Sequence, residues 1–120
     1  MRTKLKLMYV DDEEMNLRLF ELIYNRKFEV ITADSGISAL NFLEQNLDIE
    51  IVLSDMKMPI LNGLEFIKKA KLKYPDIKFF ILTGYDITDE IQEALDSKLI
   101  LKYFRKPFNF NEFDKALITA

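Results

Sequence analysis

Five short apolar runs alternate along the chain with stretches of helical periodicity. The runs are Lys4 to Val10, Phe28 to Ala33, Ile49 to Ser54, Lys78 to Thr83 and Leu99 to Phe104. Runs of this length, nearly continuous in apolar residues, are what parallel strands buried on both faces look like. Between them, Met15, Leu19, Leu22 and Ile23 fall at i, i+4, i+7, i+8, and Leu40, Leu43 and Leu47 at i, i+3, i+7. Leu64, Ile67 and Ala70 make a third stripe, Ile87, Ile91, Ala94 and Leu95 a fourth, and Phe110, Phe113 and Leu117 a fifth. Each predicts a helix with one buried face. Strand and helix alternating five times predict βα units that wind a doubly wound, five-stranded parallel sheet of the α/β class. Asp34-Ser35-Gly36 and Leu61-Asn62-Gly63 supply turn chemistry, and Asn109 with Glu112 predicts a capping box at the last helix.

A length of 120 residues sets the scale at one core and one domain, expected to run over residues 1–120. Composition is that of an ordinary globular protein, 49% apolar and 31% charged, and the net charge of −3 argues against a nucleic-acid binder. Neither cysteine nor histidine occurs. Their absence excludes disulfides, thiolate or imidazole metal sites, Ser-His-Asp catalysis and phosphohistidine carriage. The first apolar stretch runs directly into acids and is too short for a signal peptide or a membrane span, so the cytoplasm is the expected compartment.

Polar landmarks close four of the five runs: Asp11-Asp12, Asp55, Thr83, and Lys106-Pro107. In a right-handed parallel sheet every strand-to-helix loop opens on the same edge, where open α/β sheets bind ligands. Residues far apart in sequence then become neighbours: three carboxylates, a hydroxyl and an ammonium. Clustered carboxylates repel unless a divalent cation neutralises them, and hard oxygen donors suit Mg²⁺. Taken singly, each landmark has an ordinary reading. An Asp-Asp pair also favours a helix N-terminus, a lysine is usually solvated, and threonine is a good strand residue. Their joint placement on one edge is what points to Mg²⁺ with a phosphoryl group.

In these motifs the chain resembles the receiver domain of two-component response regulators. The residues concerned are Val10-Asp11-Asp12-Glu13, Leu53-Ser54-Asp55-Met56-Lys57-Met58-Pro59 with Asn62-Gly63, Leu82-Thr83-Gly84, and Tyr103-Phe104-Arg105-Lys106-Pro107-Phe108. The resemblance covers nearly the whole chain. It implies a flavodoxin-like (βα)5 sheet in strand order 2-1-3-4-5 and a cis bond before Pro107. Asp55 would accept a phosphoryl group from a histidine kinase or phosphotransfer protein. Asp12, Asp55 and the Lys57 carbonyl would bind Mg²⁺ directly, with Asp11 assisting through water, and Lys106 would pair with the phosphoryl group. Thr83 and Tyr103 would form the switch that repacks the fourth helix, fifth strand and fifth helix. Lys57 and Tyr85 occupy positions where receiver side chains influence water access to the phosphoryl group, and Gly84 stands where alanine is usual. Such a domain is not a turnover enzyme; it catalyses only its own phosphorylation and dephosphorylation. It needs neither nucleic acid nor membrane. A phosphohydrolase of the haloacid-dehalogenase type is the main rival, but it requires an aspartate two residues after the nucleophile, where Lys57 stands. An exposed output face is expected at Leu95, Lys98, Ile100, Lys102 and Tyr103.

Overall fold

The computed structural model describes residues 4–84 and 87–119, which form alternating strands and helices. In order these are β1 (Leu5–Val10), α1 (Glu14–Tyr24), β2 (Phe28–Ala33), α2 (Gly36–Gln45), β3 (Ile51–Asp55), α3 (Gly63–Lys73), β4 (Lys78–Thr83), α4 (Asp89–Asp96), β5 (Lys102–Arg105) and α5 (Phe110–Thr119). All strand pairings are parallel, in the order β2-β1-β3-β4-β5. Parallel neighbours require crossovers, and the helices that make them cover both faces of the sheet.

Alternate residues of each strand feed two separate cores. Leu7, Tyr9, Ile51, Leu53, Phe80, Leu82 and Phe104 pack against Leu17, Phe20 and Tyr24 of α1 and Phe113 and Ala116 of α5. Met8, Val10, Val52, Phe79 and Ile81 pack on the other face against α2, α3 and α4. Both faces are buried, which is why the runs show no alternation in the sequence.

The α3 stripe of Leu64, Ile67 and Ala70 is buried as expected. In α1 the expected face is wrong. Met15 and Leu22 are 79% and 73% exposed, Leu19 and Ile23 are also exposed, and the buried face is Leu17, Phe20 and Tyr24. Both sets have helical spacing, so periodicity cannot choose between them. Aromatic area does, because Phe20 stacks on Tyr9 of β1 with ring centroids 4.3 Å apart and Tyr24 meets Phe28 and Phe113. Leu47 and Ile87 lie outside their helices and are exposed, since α2 stops at Gln45 and α4 starts after its N-cap Thr88. Phe110, in the first turn of α5, is also partly exposed.

Strand boundaries shift at β3 and β5. The Ile49 N–H still bonds the Asn46 carbonyl, so the strand begins later and extends to Asp55. Leu99 and Ile100 both donate back to the Ala94 carbonyl beyond α4, after Lys98 at φ 63°, which delays β5 to Lys102. Ile100 is thereby 1% exposed and Leu95 packs against the core, so neither belongs to an exposed face with Lys98 and Lys102. At α5 the Glu112 N–H donates to Asn109 Oδ1 at 3.1 Å. That is the Asn109 half of the expected box, and a full reciprocal box stands at α3, where Asn62 and Glu65 each accept the other's N–H at 2.9 Å. Among the described residues no helix is long and apolar enough to cross a membrane.

Candidate functional site

The carboxyl ends of β1, β3, β4 and β5 bring the expected residues to one edge. Asp11 follows β1 and Asp55 closes β3, and strand alternation puts both on the α1/α5 face with Tyr9 and Leu53. Asp55 pairs with Leu82 across the ladder, which sets Thr83 one residue further along the neighbouring strand. The Lys106 N–H donates to the Thr83 carbonyl at 2.7 Å, tying the end of β5 to that of β4. The Lys106-Pro107 peptide is cis, as the resemblance implied.

Lys106 Nζ lies 3.1 Å from Asp55 Oδ1, and the Asp55 side chain is only 6% exposed. Asp11, Asp12 and Asp55 each offer a carboxylate oxygen within 4.8 Å of the others. Asp12, Asp55, Lys57 and Lys106 share the walls of a cleft of about 430 Å³. This donor set is made of hard oxygens, and the chain has neither thiolate nor imidazole, so the residues present fit Mg²⁺.

Burial pushes the Asp55 carboxyl above its ordinary value; the Lys106 hydrogen bond pulls it down, and the charge on Asp11 pushes it up again. For Lys106, burial is the largest influence and works against the charged form, but the hydrogen bond to Asp55 and the charges of Asp55, Asp11 and Glu13 together outweigh it, and the ammonium is held above its usual value. Across this one contact, charge is disfavoured on Asp55 and favoured on Lys106. Asp55 is the more buried and faces two further carboxylates, so its unfavourable balance governs the site.

The loop after β3 is held tightly. A Cβ at Gly63 would press on the Asp55 carbonyl oxygen and lie 2.8 Å from Ile81 Cδ1, so only hydrogen fits where α3 meets the strand end. The Gly63 N–H donates to the Met56 carbonyl at 2.8 Å. Ile60 has φ 71° and is spanned by a Leu61 N–H to Pro59 carbonyl bond of 2.8 Å, a γ-turn in a conformation costly for a β-branched residue. A Cβ at Gly84 meets nothing described within 4 Å, consistent with an alanine being admissible there.

Thr83 is 2% exposed and points to the α4 face of the sheet with Ile81. Tyr103 pairs with Ile81, is half-buried and packs against the same core, so the two expected switch residues share that face. Tyr85 lies outside the described residues.

Two participants are not apparent from the sequence. The Tyr9 hydroxyl donates to Asp11 Oδ2 at 2.6 Å and Asn16 Nδ2 donates to the same oxygen at 3.2 Å. Burial first, then the bond to Asp11, raise the Tyr9 phenol well above its ordinary value, so it stays a donor. Tyr9 stands two residues before Asp11, on the same strand face, a signal legible in period-two spacing but hidden in an apolar run.

A doubly wound parallel sheet thus carries, at its carboxyl edge, a buried aspartate against a lysine beside two further aspartates, the set that the sequence motifs gather. The chain belongs to the response regulator receiver domain family, whose model matches residues 7–118, and is a receiver domain of the two-component type. It is similar to a response regulator receiver domain protein from Clostridium thermocellum, 28% identical, with TM-score 0.84 over 96% of this chain and 92% of that one. It is similar also to response regulator TrrA of Thermotoga maritima, solved with Mg²⁺ and BeF, 29% identical, with TM-score 0.79 over 96% and 97% of the two chains. The chemotaxis protein CheY4 of Vibrio cholerae, at 24% identity and TM-score 0.86 over 98% of each chain, shares the fold. No curated protein matches the chain in sequence.

Proposed function

We propose that this domain accepts a phosphoryl group on Asp55 from a histidine kinase or phosphotransfer protein, in the cytoplasm, and transmits the change through Thr83 and Tyr103. The observation that carries the reading is the buried Asp55 carboxylate, 3.1 Å from Lys106 and within 4.8 Å of the Asp11 and Asp12 oxygens. Asp11, Asp12, Asp55 and the Lys57 carbonyl would hold Mg²⁺, which supplies charge neutralisation for the transferring group.

The chain's own groups do the rest. An Asp55 oxygen attacks phosphorus in line, the new O–P bond forms, and the donor's bond to phosphorus breaks with its electron pair leaving on the donor. Lys106 moves from countering the carboxylate to countering phosphoryl oxygens, so its ammonium is already in place when charge develops. The Thr83 hydroxyl, at the end of β4 one residue beyond the level of Asp55, would donate to a phosphoryl oxygen. Its movement would vacate space on the α4 face that the Tyr103 ring can enter, a population shift biased by contacts made in one state only.

Mass spectrometry after incubation with acetyl phosphate and Mg²⁺ tests the reading. Wild type is expected to gain a labile phosphoryl adduct, Asp55→Asn none, and Lys106→Ala to acquire it about 10²-fold more slowly. A wild type that stays unmodified would mark a binding module that works without phosphorylation. Sustained release of phosphate from a phosphomonoester would mark a hydrolase, and none is expected.

A further inference from the structure

Asp11 is completely buried and its carboxylate is nearly saturated with donors. Oδ2 accepts from the Tyr9 hydroxyl at 2.6 Å and from Asn16 Nδ2 at 3.2 Å, while Oδ1 accepts the Glu13 N–H at 2.9 Å. A carboxylate has about four acceptor positions, two on each oxygen. Both positions on Oδ2 are therefore taken, and what remains is a single position on Oδ1. Tyr9 cannot readily give up its share, because its ring is 3% exposed and stacked on Phe20 with an interplanar angle of 19°.

We infer that Tyr9 is a positioning residue that sets the cation preference of this site, by holding Asp11 to one free oxygen position; this rests on the Mg²⁺ site of the proposed function. Mg²⁺ takes few protein oxygens in a strict octahedron and keeps several waters, whereas Ca²⁺ collects more oxygens and accepts carboxylates through both atoms at once. A carboxylate whose Oδ2 is closed by Tyr9 and Asn16 can contribute one oxygen directly or a hydrogen bond to a metal-bound water. It cannot chelate. Freeing Oδ2 adds a ligand position beside Asp12 and Asp55, and the larger ion profits from it more.

Tyr9→Phe is a clean probe, since it keeps the ring and its stack on Phe20 and removes only the donor. Asn16→Ala vacates the second Oδ2 position from the surface of α1 and serves as an independent variant. Titration calorimetry with MgCl₂ and with CaCl₂, on metal-free wild type and both variants, reads the ratio of the two affinities. In Tyr9→Phe the ratio should move toward Ca²⁺, by up to about the tenfold that loss of a group supporting a ligand costs in metal affinity, and in Asn16→Ala in the same direction. A merely structural role would weaken both cations together and leave the ratio unchanged. That result, in either variant with wild-type binding intact, overturns the role assigned to Tyr9 and leaves the metal site standing. Wild type that binds neither cation, like the Asp55→Asn control, overturns both.

Discussion

Asp55 shows how a single residue can be poor for stability and right for chemistry. Its carboxyl is raised by burial, and the Lys106 contact does not fully offset this, with Asp11 adding repulsion. A raised carboxyl binds a proton more readily in the folded than in the unfolded chain, so stability declines as pH rises from the ordinary carboxylate range, about 4, through the raised value. Above that value the whole cost of the buried charge is present. Asp55→Asn, which resembles the protonated form, should therefore melt higher than wild type at pH 7 in EDTA. The gap should close as pH falls toward 4. A variant that melts lower at pH 7 would mean that the attraction of Lys106 exceeds the cost of burial. The motifs around Asp55, Thr83 and Lys106 were readable because each ends its own apolar run. Tyr9 was not readable, because a buried tyrosine in a strand looks like any other core aromatic until its hydroxyl is seen to face Asp11.

At the scale of elements, α1 separates what periodicity can and cannot give. Its sequence carries apolar residues around most of its circumference, so two faces compete, and the sheet chooses the one bearing Phe20 and Tyr24. Leu17→Ala on the chosen face should cost about 2–4 kcal/mol, by loss of transfer energy plus a residual cavity. Leu22→Gln on the 73% exposed face should stay within about 0.5 kcal/mol of wild type. Urea unfolding of the two variants checks this, and equal losses would contradict the assignment of faces. The α3 stripe was legible because the opposite face is mostly charged, Glu65, Lys68 and Lys69, with Leu72 its one large apolar residue, 88% exposed. The late start of β5 was not legible. Leu99 and Ile100 are good strand residues, and their use in closing the turn after α4 depends on the left-handed Lys98 and on Ala94 being within reach.

For the whole molecule, folding assembles the carboxylates of Asp11, Asp12 and Asp55, and a cation that binds the assembled set and not the open chain must stabilise the fold. Mg²⁺ at about 100 times its dissociation constant should add about 2.7 kcal/mol, raising the melting temperature by about 10 °C. EDTA should reverse the shift and Asp12→Asn should reduce it; an unchanged melting curve across a wide Mg²⁺ range would remove the metal from the proposed mechanism. The sequence by itself determined the α/β class, the alternation of elements and the edge on which the polar landmarks gather. Periodicity, run length and the handedness of crossovers are local or generic constraints that any chain obeys. Only the tertiary structure decided which face of α1 is buried, where β5 begins, that Lys106 lies against Asp55, and that Tyr9 and Asn16 close one oxygen of Asp11. Those outcomes depend on distances between segments far apart in the chain, and packing two cores against one twisted sheet is what fixes such distances.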